Sequence, residues 1–176
     1  VSRRDGKILW RKVLREDWPH EGGHTTGSLA SNSPVTDGEQ IFVFFGSRGL
    51  YCLDLKGELK WQKDLGRMKT LHSHGEGSSP VVHGDTLLVC WDHEGDSFLY
   101  AFDKRSGKEL WRVARDEKTS WSTPLVIEQS WVDALKAALP ELPDQRRARY
   151  VNDYGVTPYD AHVLTLEKET AAYYEA

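Results

Sequence analysis

Apolar residues in the first part of the chain come in short runs separated by Gly, Pro and Asp. Ile41–Phe45, Leu50–Leu55, Leu87–Trp91 and Phe98–Phe102 are β-rich runs of this kind, and their flanking turn residues predict strands. The punctuation recurs. A small residue and a proline open each period, in Ser33-Pro34-Val35, Ser79-Pro80-Val81 and Thr123-Pro124-Leu125. The turns Asp37-Gly38 and His83-Gly84 follow, and later Ser47-Arg48-Gly49 and Glu94-Gly95-Asp96. A fourth strand carries tryptophan, in Asp5-Gly6-Lys7-Ile8-Leu9-Trp10, Lys56-Gly57-Glu58-Leu59-Lys60-Trp61 and Ser106-Gly107-Lys108-Glu109-Leu110-Trp111. The three tryptophans stand 51 and 50 positions apart. Four strands in a period of about 50 residues make one propeller blade.

From Ser130 the spacing turns helical, with Trp131, Leu135, Ala138 and Leu139 on one face. Ser130 to Asp133 reads as a capping-box-like start, and Pro140 stops this helix. Pro143 opens a second helix that runs to Tyr154, with Gly155 as its stop. Thr157-Pro158 opens a third, and Thr165 is expected to cap a last helix running through Tyr174. The expectation is a mainly β chain. Residues 1–129 form an incomplete β-propeller of about two full four-stranded blades plus the edges of two more. Residues 130–176 form a short all-α tail of about four helices.

Composition narrows the function classes. The 176 residues are 39% hydrophobic with seven Trp and seven Tyr, enough apolar material for a core. Net charge is −4, with 18 Lys and Arg against 19 Asp and Glu in residues 1–129, and 5 against 8 in 130–176. Neither part is basic, so bulk charge gives no support for nucleic-acid binding. No apolar run approaches the ~20 residues of a membrane helix. Cys52 and Cys90 fall in predicted strands and read as small buried hydrophobes, leaving the redox compartment open.

Ala101-Phe102-Asp103-Lys104-Arg105-Ser106-Gly107-Lys108-Glu109-Leu110-Trp111 fits the pattern A-x-D-x-x-x-G-K-x-x-W. Cys52-Leu53-Asp54 with Gly57 and Trp61 repeats it with one residue fewer in the turn and Cys for Ala. Asp suits the cap of a tight turn, Gly its strained position, and Trp a large face packed between blades. The pattern resembles the tryptophan-docking motif of the pyrroloquinoline-quinone-like (PQQ-like) repeat family, related to quinoprotein alcohol dehydrogenases. The resemblance makes Trp10, Asp54, Gly57, Trp61, Asp103, Gly107 and Trp111 structural docking residues. Many proteins similar to this family bind no quinone and act as scaffolds, outer-membrane assembly factors among them. The enzymes close a ring of about eight blades around the cofactor. Two blades do not close a ring, so no cofactor is expected here. PQQ with calcium would belong only to a complete enzyme-type propeller. No catalytic residues are expected either.

Two polar clusters hold side chains of metal-ligand type, His72 with His74, and Asp92, His93, Glu94 and Asp96. In an extended stretch His72 and His74 would share a face. The plainer reading is a polar blade-connecting loop and a hydrophilic hairpin turn. His20 and His24 around Glu21-Gly22-Gly23, one repeat earlier, favour that plainer reading.

The tail contains Leu139-Pro140-Glu141-Leu142-Pro143, Arg146-Arg147-Ala148-Arg149-Tyr150, Tyr154-Gly155-Val156 and Tyr159-Asp160-Ala161-His162-Val163-Leu164-Thr165. This string resembles the start of the C-terminal helical region of the B-type subunit of glutamyl-/aspartyl-tRNA amidotransferase. That region is associated with tRNA engagement, whereas the family's phosphorylation and amide-transfer chemistry lies in an upstream domain. By the resemblance, Arg146, Arg147 and Arg149 face tRNA phosphates. The alternative is a solvated helix face partly neutralised by Asp144 and Asp153.

Three functional readings follow. The first is a non-catalytic propeller-repeat scaffold or interaction fragment, joined to the tail in an artefactual or non-selected fusion. No Gly/Ser/Pro linker separates Ile127 from Ser130, and the fourth repeat is abandoned after its first strand. The second is a fragment of the tRNA-dependent amidotransferase that amidates Glu-tRNA(Gln) and Asp-tRNA(Asn). The third is a fragment of a quinoprotein oxidoreductase. Open blade edges favour a protein partner or self-association, and tRNA becomes a partner only if the tail acts as in its family. The propeller resemblance points to an exported or periplasmic protein, the tail to the cytoplasm.

Overall fold

The structure, a computed structural model, describes residues 1–175. Its backbone divides into a unit spanning Val1–Val126 and a second that begins at Ile127.

The first unit contains two four-stranded antiparallel sheets, each with its strands in chain order. The first blade holds β1 (Val35–Thr36), β2 (Gln40–Phe44), β3 (Leu50–Asp54) and β4 (Leu59–Lys63). The second holds β5 (Val81–His83), β6 (Thr86–Trp91), β7 (Ser97–Asp103) and β8 (Glu109–Arg115). The apolar runs of the sequence sit in the two central strands of each blade, whose facing sides are buried in the core. The registers correspond. Phe42 pairs Cys52 and Cys52 pairs Trp61 in the first blade, as Leu88 pairs Ala101 and Ala101 pairs Trp111 in the second. Both blades shift register at the same place, between Cys52 and Leu53 and between Ala101 and Phe102. Such a bulge re-aims the strand just before the docking tryptophan.

The core lies between the two sheets. Phe42, Phe44, Leu50 and Cys52 of the first blade meet Leu87, Val89, Trp91, Tyr100 and Phe102 of the second, with Met68 of the connecting segment among them. Burying each Phe, Leu or Val side chain is worth about 1.5–3 kcal/mol. Residues 123–127, expected as the opening edge of a further blade, and residues 1–34 pair with no strand among the described residues. An extended segment becomes a strand only where a ladder partner exists. Side-chain-to-backbone hydrogen bonds hold these segments to the blades instead.

The second unit holds four helices, α1 (Gln129–Ala138), α2 (Pro143–Tyr154), α3 (Pro158–Leu164) and α4 (Lys168–Glu175). Ser130 lies inside α1 rather than capping it, since Glu128 holds the N-cap position, and Gln129 Nε2 donates to Asp133 Oδ1 at 2.7 Å one turn on. Thr165 also departs from expectation. Its hydroxyl donates back to Ala161 O at 2.8 Å, so it closes α3 rather than opening α4. Gly155 adopts φ +67 and ends α2 as expected, and Thr157 Oγ1 accepts from Asp160 N to cap α3. Tyr150 is completely buried, and its hydroxyl donates to Ala171 O. Tyr154 and Tyr174 pack against it with ring centroids 5.5 and 5.2 Å away. Trp131, Leu135 and Leu139 on or beside α1 are exposed.

Candidate functional site

The most developed constellation in the chain joins one repeat to the next. Trp10 Nε1 donates to Leu55 O at 3.0 Å, in the turn that ends β3. Its ring lies on Gly57, where a Cβ would sit 2.9 Å from Trp10 Cε3 and where φ is +86. Trp61 repeats the arrangement one blade later, donating to Lys104 O at 3.0 Å and covering Gly107, at φ +69, where a Cβ would come 2.7 Å from Trp61 Cδ2. Each glycine therefore answers two demands, a left-handed backbone and an indole in contact. Asp54 Oδ1 accepts from Lys56 N and Glu58 N at 2.9 Å, and Asp103 Oδ1 from Ser106 N at 2.8 Å. The Glu58 amide, then Lys60, lowers the Asp54 pKa, and Ser106 does the same for Asp103. Six of the seven docking residues read from the sequence thus meet in two like assemblies. Trp111, the seventh, is 45% exposed, and its indole N–H has no hydrogen bond among the described residues.

A second set of repeat-to-repeat bonds runs through the Ser/Thr-Pro corners. Ser33 N donates to Ser79 Oγ at 2.9 Å, and Ser79 N to Thr123 Oγ1 at 3.2 Å. Ser78 Oγ donates to Ser122 O at 2.9 Å. A third connection is charged, with Lys104 Nζ 3.0 Å from Asp37 Oδ2 and both side chains largely buried. Burial opposes ionisation of Asp37, but the Gln40 amide and Lys104 outweigh it and hold its pKa at about 2.

The proposed metal-ligand types are placed apart or already bonded. His72 and Ser73 have φ of 52 and 53 in a tight turn, so the extended geometry that would align His72 with His74 is not adopted. Their rings nonetheless lie 5.5 Å apart, with His24 5.1 Å from His74. Asp92 is buried and accepts from Arg115 at 2.9 and 3.3 Å and from Ser120 Oγ at 2.8 Å. Burial would raise its pKa, but Arg115, Cys90 and Ser120 together lower it. Glu94 accepts from Thr119, His93 Nδ1 accepts from Lys69 N and Gly95 N, and Asp96 is exposed. Among the described residues no three His, Cys, Asp or Glu side chains are placed to hold a metal ion. Burial pushes the Cys52 thiol up to about 11 and, with Asp92 adding to it, the Cys90 thiol up to about 12. Neither is a thiolate nucleophile at neutral pH.

A cavity of about 150 Å³ lies where the N-terminal segment crosses the first blade, lined by Asp17, His20, Glu21, Arg48, Thr70 and Glu76 among others. Its polar groups are bonded within the fold. Arg48 Nη1 can only donate, so His20 Nδ1 accepts from it at 2.7 Å and His20 Nε2–H donates to Met68 O at 2.6 Å. Glu21 accepts from Thr70 N and Oγ1, and Glu76 from Ser47 N.

In the helical unit, Arg149 forks onto Glu141 with Nε and Nη2 at 2.8 and 2.7 Å, and also reaches Glu175. Arg146 Nε lies 3.3 Å from the same Glu141, whose pKa is held at about 2 by Arg149 first and Arg146 after it. Arg147 pairs with Asp144 and His162. All three arginines thus carry intramolecular partners. Sequence reasoning named Asp144 but missed Glu141 and Glu175. They stand 8 and 26 positions from Arg149, and both lie outside its helix, so the periodicity of α2 does not point to them.

These blades and their serial docking define a propeller-repeat protein. The chain belongs to the family described as outer membrane protein assembly factor BamB, whose family model matches residues 1–168. Part of the chain is also similar to the B-type subunit of aspartyl/glutamyl-tRNA(Asn/Gln) amidotransferase. Identity is 62% over 53 residues with the Bradyrhizobium sp. (strain BTAi1) protein, covering 30% of this chain and 11% of the relative. It is 60% over 52 residues with that of Xanthobacter autotrophicus, covering 30% and 10%. The chain thus spans about a tenth of the length of these curated relatives. Residues 130–176 resemble the C-terminal helical region of that amidotransferase protein. Among solved structures, a europium-containing methanol dehydrogenase gives a TM-score of 0.39 at 18% identity, over 47% of this chain and 15% of that one. BamB from Moraxella catarrhalis gives 0.37 at 19%, over 54% and 27%.

Proposed function

We propose that the chain is a non-catalytic propeller-repeat scaffold or interaction module. The observation that carries this reading is the role of its repeated polar and aromatic residues. Trp10 and Trp61, the Gly57 and Gly107 seats that receive them, and the Ser/Thr-Pro corners each join one repeat to its neighbour, which builds a surface rather than a reacting centre. The family's description as an assembly factor supports the same class of role. Absorbance on adding PQQ and calcium tests it against the quinoprotein reading. The spectrum should stay unchanged, and a bound-cofactor band with alcohol turnover would end the scaffold reading.

A second reading rests on the 62% identity to the amidotransferase. In it the helical unit engages tRNA, with Arg146, Arg147 and Arg149 exchanging their carboxylate partners for phosphates. Gel shift with unacylated tRNA should then show binding tighter than ~10 µM that weakens steeply with salt. Binding that salt leaves unchanged would count against it. The change of character at Ser130 further supports a join of two unrelated coding segments. Amplification of source DNA across the codons for Thr123 to Asp133 tests this. A single product of the right length would establish a genuine fusion.

A further inference from the structure

The rule that seats Trp10 and Trp61 leaves one indole over. In the first blade, the cross-strand row Phe42, Cys52 and Trp61 packs against the second blade. Cross-strand pairing places Leu88, Ala101 and Trp111 in the equivalent row of the second blade. The next pairs along that face, Cys90 with Leu99 and Leu99 with Val113, extend it. Leu88 and Leu99 are only half-buried, and Val113 is 55% exposed. The face therefore repeats the chemistry of one whose occupant is known, a blade presenting an Asp-led turn with glycine in the left-handed region.

We propose that this face receives the first blade of a second copy of the chain, with Trp111 donating to Leu55 O and lying over Gly57 of that copy. The seat exists and accepts an indole, since Trp10 fills it within one chain. Trp10 is exchangeable because its indole makes one hydrogen bond to this seat and is 38% exposed. Trp111 comes instead from β8, paired along its length to β7, and so is held ready in a sheet. The contact is heterologous, head of one copy to tail of the next. Association therefore extends to further copies unless the rotation closes a ring. Competition from Trp10 in the same chain keeps it weak and concentration-dependent.

This proposal rests on the scaffold reading, and the two fail differently. Sedimentation velocity on the full chain from ~1 to ~200 µM should show association rising with concentration. Trp111→Ala should abolish it, with the far-UV circular dichroism of the native fold retained. Trp10→Ala should tighten it by about tenfold, because the seat is then vacant. The opposite signs separate docking from simple loss of folding. A monomer throughout the range, association that survives Trp111→Ala, or no change in Trp10→Ala would each overturn the proposal. None of these results touches the scaffold reading, which fails only on PQQ binding with turnover.

Discussion

Asp37 shows how one side chain ties two repeats together. It sits in the β1–β2 turn, accepts from the amides of Glu39 and Gln40, and meets Lys104 of the second blade in a largely buried pair. Its folded pKa of about 2 lies below the ordinary 3.8. A depressed carboxylate contributes stability that is fully present above the unfolded pKa and is lost as pH falls through the folded one. Asp37→Asn should therefore lower the urea midpoint at neutral pH. The difference from the native chain should shrink as pH drops from about 4 towards about 2. A gap constant across that window would show that the charge on Asp37 does not matter. Asp92 follows the same logic with Arg115 as its cation, which explains why a buried carboxylate beside Cys90 stays ionised.

Between elements, the decisive contact is an indole on a glycine. Gly107 and Gly84 both have positive φ, +69 and +57, but only Gly107 has a ring where a Cβ would go. Gly107→Ala should cost about 2–4 kcal/mol, combining backbone strain with displacement of Trp61. Gly84→Ala should cost only about 1 kcal/mol, the backbone part alone. Urea denaturation of the pair measures the difference. Equal losses would mean that the Trp61 dock contributes nothing beyond turn geometry. The Asp, Gly and Trp positions that meet in the two assemblies recur at a fixed period in the sequence, and Trp111 recurs with them without a seat. Their direction of docking was not legible there. Trp61 lies 43 positions from its acceptor at Lys104, and a backbone carbonyl carries no side-chain signature. His72 and His74 would share a face only if their stretch were extended, and it is not. Alternation holds only in a strand, and Leu71 to His74 is a tight turn.

At the scale of the molecule, the backbone falls into a β unit ending at Val126 and a helical unit beginning at Ile127. Side chains of Thr119, Ser120, Trp121 and Thr123 still bond to the blades, whereas Leu125 is 81% exposed and lies outside any strand. Exposed segments without regular pairing are the preferred sites of nicking. Downstream of β8, limited subtilisin digestion should cut first between Pro124 and Gln129, leaving both blades intact. Mass spectrometry reads the boundary, and a first cut inside either blade would contradict it.

The sequence by itself determined the repeat, the strand runs within a residue or two, the three tryptophans and the switch to helical spacing. All are local patterns in which period and turn chemistry act within a few residues. Only the tertiary structure decided which groups those residues bind. Trp10 finds Leu55 O, Ser33 finds Ser79, Asp37 finds Lys104, and Arg149 finds Glu141 and Glu175. Most of these partners stand tens of residues apart, and even the nearest lies outside its arginine's helix. They meet because burying the faces of successive blades, and of the helices around Tyr150, brings distant backbone and charged groups into one place.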